Sequence, residues 1–130
     1  MENTEHIKYW LDSAIHDLDA AESLFKNKKY DWCLFIGHLV LEKTLKAIYV
    51  LKNPETMPPK VHNLVRISEY CGLDLTEEQR YFFDEINDFN IEARYPSYKF
   101  DFYQLCTKEF TEKYFELIKE THKWLLSQLK

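Results

Sequence analysis

The chain has 130 residues, 45% of them hydrophobic and 30% charged, with a net charge of −5. That length predicts one domain with its own core. Only two glycines and four prolines argue against a turn-rich sheet fold and against a glycine-rich phosphate loop, and the acidic balance gives no global attraction for nucleic acid. Cys33, Cys71 and Cys106 have no CxxC spacing. With no signal peptide in evidence, they read as reduced thiols of a cytoplasmic protein. No apolar run reaches the twenty or so uncharged residues that a membrane span requires.

Taken in order, the spacing predicts a first helix from about Thr4 to Lys26. Ile7, Trp10, Leu11, Ala14, Ile15, Leu18, Ala21 and Phe25 keep an i, i+3/i+4 beat through it. Asn27 to Lys29 make a short turn into Tyr30–Leu51, YDWCLFIGHLVLEKTLKAIYVL, the most apolar stretch. Short turns between long helices give antiparallel neighbours. Apolar residues ring almost the whole of the second helix, so it belongs at the centre of a bundle. One stripe breaks the ring: Asp31, His38, Glu42 and Lys46, interleaved with Phe35 and Tyr49. A polar stripe on a buried helix needs a partner, a groove or water.

The segment KNPETMPPK then gives a stiff, extended connection. A shorter helix is expected from Val61 to Cys71, stopped by Gly72. Thr76 with Gln79 three residues on is a capping-box signature, opening a helix that carries Phe82, Ile86 and Phe89 on one face and ends near Arg94. Pro96 keeps Tyr95 out of the helical region, and the tyrosine- and phenylalanine-rich SYKFDFYQL reads as a loop. The last helix is expected from Thr107 to Leu129. The sum is an all-α, five-helix bundle with an antiparallel up-and-down core, filling residues 1–130 as a single domain.

Chemistry has few footholds. The histidines at 6, 16, 38, 62 and 122 show no HxxxH or HExxH spacing and none pairs with a cysteine, so no metal and no cofactor is expected. No GxSxG elbow is present, and the cysteines read as small hydrophobes of the core. The stripe has two readings: Glu42 and Lys46 as an ordinary i, i+4 pair with His38 packed beside it, or an imidazole and a carboxylate facing a groove. In DFNIEARYPSY, Arg94 either satisfies the last carbonyls of its helix or aims a guanidinium at phosphate, with Tyr95 and Tyr98 as stacking surfaces.

Four segments together resemble the HEPN domain, a small helical family named for nucleotide binding: Ala14, Asp17, Leu18 and Ala20 of the first helix, the YDWCLFIGHLVLEKTLKAIYV run, KVHNL, and EARYP. The likeness covers Ile7 to Leu129. It implies a bundle paired through a two-fold interface, with the central helix and the arginine near a shared cleft. Many such domains partner small nucleotidyltransferases, resembling their substrate-binding subunits, and others are ribonuclease toxins of toxin–antitoxin pairs. The toxins carry an arginine followed four to six residues later by a histidine. Arg94 matches the arginine, but Tyr95 to Asp101 contain no histidine. The resemblance therefore implies a homodimeric, non-enzymatic module acting with a nucleotidyltransferase. Arg94 would meet the phosphate of a nucleotide or RNA, Tyr95 or Tyr98 would stack, and His38, Glu42 and Lys46 would line the cleft. The alternatives are a ribonuclease that borrows His38 or His62, and a purely protein-binding bundle.

Overall fold

A computed structural model describes residues 3–129, the side chain of Pro96 excepted, and gives six helices among them: α1 (Asn3–Lys26), α2 (Tyr30–Lys52), α3 (Leu64–Tyr70), α4 (Glu77–Glu92), α5 (Pro96–Leu105) and α6 (Lys108–Ser127). The expected count of five is corrected. The segment expected as a loop, Ser97 to Leu105, is α5. Its start follows from the same proline: Tyr95 is an extended N-cap (φ −91, ψ 127) and Pro96 takes the first helical position, where its fixed φ suits a helix and its missing N–H is not needed. Among the described side chains of α5 only Phe102 is buried, so the helix leaves no periodic apolar signal.

The other boundaries follow their local chemistry. Asn63 caps α3 by accepting from the Arg66 N–H at 3.1 Å, so α3 begins at Leu64 rather than Val61 and is stopped by Gly72 at φ +69. Thr76 and Gln79 form the reciprocal capping box of α4, and Thr107 caps α6 through the Phe110 N–H.

Helix α2 is the hub. It packs against each of the other five helices and buries side chains all round, among them Leu34, Leu41, Leu45 and Ile48. α1 lies along it on one side of the turn: Asp17 pairs with Lys43 at 2.7 Å, and the Lys46 ammonium lies 5.5 Å from the Trp10 ring centroid. Small Ala14 and Ala21 are fully enclosed, whereas Ile15 is 51% exposed, because α1 has a broad face turned to solvent and its apolar beat is wider than the surface that covers it. α6 approaches α2 at Gly37, where an added Cβ would lie 2.7 Å from Ile118 Cδ1. The main core joins α2, α3, α4 and α6 through Ile67, Phe83, Ile86, Phe89 and Ile118. No helix among the described residues is long and apolar enough to cross a membrane.

Candidate phosphate-binding site

The polar stripe of α2 does not face open solvent. It is roofed by the residues before α3 and by the end of α4. Glu42 is 4% exposed, yet both its oxygens are used: Lys46 Nζ donates to Oε2 at 3.0 Å and His62 Nδ1 donates to Oε1 at 3.0 Å. Two donors, one of them a cation, are what a buried carboxylate needs to satisfy its lone pairs.

His38 is 1% exposed and both ring nitrogens are engaged. Its partners fix its state. Arg94 can only donate, and it gives Nε–H to the Asn90 carbonyl at 3.1 Å and Nη2–H to Asn90 Oδ1 at 2.9 Å. The Asn90 amide nitrogen must therefore be the group that faces His38, donating to Nδ1 at 3.3 Å. An Nδ1 that accepts leaves the proton on Nε2, which donates to the His62 carbonyl at 2.9 Å. Burial pushes the His38 pKa down to about 4, against the opposing pull of Glu42, whose Oε1 is 3.8 Å away. The imidazole is neutral, and its tautomer is set by an arginine that does not touch it.

A single directional chain thus runs from Arg94 through Asn90 and His38 to the backbone of His62, whose side chain returns to Glu42 and Lys46. Its two ends emerge. The His62 side chain is 67% exposed, with Nδ1 committed to Glu42 and Nε2 left over. Of the five N–H groups of Arg94, two go to Asn90, leaving three without a partner among the described residues. Its guanidinium is flanked by the rings of Phe35 and Tyr95, at 5.7 and 5.8 Å from their centroids.

The structure brings Arg94, His38, Glu42, Lys46 and His62 into one network, with Tyr95 against it. Tyr98 is exposed one turn into α5, tied to Tyr95 by a backbone hydrogen bond of 3.0 Å. Asp31, on the same stripe, is buried apart from the network, near Cys106. Asn90 is the residue sequence reasoning missed. Its signal was available, since an asparagine four residues before an arginine on a helix can hold it. Trp10, beneath Lys46, enters the sequence only as part of the apolar beat of α1.

The cysteines are no competing site. Cys33, Cys71 and Cys106 are unpaired and buried, and burial pushes their thiols up to about 12, 11 and 12, away from the reactive thiolate. Among the described residues no group of three or more His, Cys, Asp or Glu side chains is placed to hold a metal ion.

The HEPN domain family model matches residues 7–129, nearly the whole chain, and the protein belongs to that family, an all-helical one generally tied to nucleic acids. No curated protein and no solved structure matches the chain.

Proposed function

We propose that this HEPN domain is a binding module rather than an enzyme, and that it takes the phosphate of a nucleotide or of RNA on Arg94. One observation carries the reading: a guanidinium clamped by two hydrogen bonds to Asn90 and flanked by two rings, with three N–H groups still to spend. A cation already ordered loses little entropy when it binds an anion, and its planar fork suits phosphate. Tyr95 and Tyr98, both about half exposed, supply stacking surfaces for a base. Glu42 and Lys46 neutralise each other and act by holding His62; His38 acts by holding Asn90 and the His62 backbone. The module works as a homodimer in the cytoplasm beside a nucleotidyltransferase, in the manner of a toxin–antitoxin pair. The exposed rings of Phe100 and Tyr103 on α5 support an interface of that kind.

Binding of AMP and of a short single-stranded RNA, titrated in low salt, tests this. Arg94→Ala should weaken both by about tenfold or more, as expected for a lost charge-assisted bidentate contact, and Asn90→Ala should weaken them less. Equal affinity in wild type and Arg94→Ala removes the phosphate from this site. Sedimentation of the wild type as a monomer at micromolar concentration would remove the dimer.

A second reading has one specific observation behind it. His62 is an exposed imidazole whose Nδ1–H is held by a buried carboxylate, the arrangement that leaves Nε2 ready to accept a proton. In a ribonuclease it would be the base for which Tyr95 to Asp101 offer no histidine; His38, enclosed with both nitrogens occupied, would not. Metal-free RNA cleavage that vanishes in both His62→Ala and Arg94→Ala would make the protein an enzyme. No cleavage by wild type leaves the binding module.

A further inference from the structure

Away from Arg94, α4 and α6 are not close backbone neighbours, and a groove of about 840 Å³ opens between them. Its floor is apolar. Phe82 and Tyr114 lie parallel within 5°, their centroids 6.4 Å apart, with Leu117 beside them. The α4 wall carries Glu77, Tyr81 and Glu85 at i, i+4 and i+8, one row along the rim, with Glu78 next to it. Tyr81 is 68% exposed, an aromatic ring standing in water at the edge of an apolar trough.

The charge in the groove is one-sided. Three carboxylates line it against a single cation, Lys113. That cation turns inward, its ammonium 5.4 Å from the Tyr114 ring centroid. Tyr114 in turn donates to Glu85 Oε2 at 2.6 Å, which draws electron density towards the ring and favours a cation over it. Lys113 fills in cis the position that a cationic side chain of a partner would take. The same carboxylates repel phosphate, so nucleic acid is the wrong occupant.

The dimensions select the form of the occupant. Glu77 to Glu85 and Lys113 to Thr121 each run about 12 Å at 1.5 Å per residue, roughly two turns on each wall. Two helical walls of equal length with an apolar floor between them are the setting in which an amphipathic helix lays its apolar face. We propose that the α4–α6 groove is the docking site for a basic amphipathic helix of a partner protein. Its apolar side chains seat on Phe82, Tyr114 and Leu117, and its Lys or Arg residues meet Glu77, Glu78 and Glu85 after displacing the Lys113 ammonium. The site shares no residue with the Arg94 network and does not depend on what binds there.

The test is an unbiased library of helix-forming peptides displayed on phage and selected against the whole purified protein. Enriched sequences should set Lys or Arg beside Leu, Phe or Trp at helical spacing. The synthesised winners should lose about tenfold in affinity at low salt on Glu78→Lys, because a reversed charge at the rim repels a basic helix and slows its association, and a comparable amount on Tyr81→Ala. They should be indifferent to Arg94→Ala and to Asp12→Lys, which reverses an exposed carboxylate on α1. No enrichment, enrichment of acidic sequences, indifference to the two groove substitutions, or an equal loss with Asp12→Lys would each overturn the proposal. Loss with Arg94→Ala alone would move the peptide site to the phosphate-binding network.

Discussion

His38 shows how little of a residue's role lies in its own side chain. Its neutrality is imposed by burial, and its tautomer by Arg94 acting through the Asn90 amide. The linkage has a definite sign. Folded His38 takes up a proton only near pH 4, whereas in the unfolded chain it does so near 6.5; between those values the unfolded state binds more protons. Stability is therefore intact above pH 6.5 and falls as the pH drops towards 4, by at most about 3 kcal/mol from this group. His122, also buried and shifted downward by burial, adds to the loss. Melting curves from pH 7.5 to 4 should show His38→Gln starting lower but falling less steeply than wild type. Parallel curves would mean that His38 does not carry the effect.

At the scale of the element, one helix end carries backbone strain and one helix contact is crowded. Lys28 closes α1 at φ 62, with Lys29 N–H donating to the Leu24 carbonyl at 2.8 Å and Lys28 N–H to that of Phe25 at 3.1 Å. This is a helix-ending motif that usually employs glycine. Lys28→Gly should stabilise the protein by about 0.5–1 kcal/mol in urea unfolding; a loss would mean that the lysine side chain contributes more than the backbone strain costs. Gly37 is the other position. Gly37→Ala gains helix propensity but crowds Ile118, for a net cost of about 1 kcal/mol. Ile118→Val costs about as much by itself. The double variant should cost clearly less than the sum, because valine lacks the Cδ1 that the new methyl meets. Additive costs would show that α2 and α6 relax apart instead.

For the molecule as a whole, stability is distributed around α2. It touches every other helix, while α5 is anchored by Phe102, the one buried side chain among those described on it. Native-state hydrogen exchange should find the slowest amides in α2, near Leu41 and Leu45, and the α5 amides among the fastest of the helical ones. Uniform protection across the two would contradict a hub with a loosely held α5. Such an arrangement suits the proposed role, since the hub carries His38, Glu42 and Lys46 of the network while Arg94 and the exposed aromatics lie between α4 and α5 and on α5 itself.

The helical class, the central place of Tyr30–Leu51, the capping box at Thr76 and the family were legible from residue order alone, because each depends on local spacing: 3.6-residue periodicity, a side chain reaching three residues, a proline or glycine where the chain turns. So was the Glu42–Lys46 pair, four residues apart on one helix. α5 escaped because a helix with a single buried residue among its described side chains has no periodicity to read, and Pro96 marks a helix start as readily as a break. The network escaped for a different reason. His38 and Asn90 are 52 residues apart, and Glu42 and His62 are 20 apart. Only packing α4 and the start of α3 over α2 decides that a histidine is enclosed and neutral, that a buried carboxylate orients an exposed imidazole, and that an asparagine holds the arginine. The sequence determined which polar groups lie on the hub; the tertiary structure decided which of them face one another, because hydrogen-bond direction and burial are properties of the assembled fold.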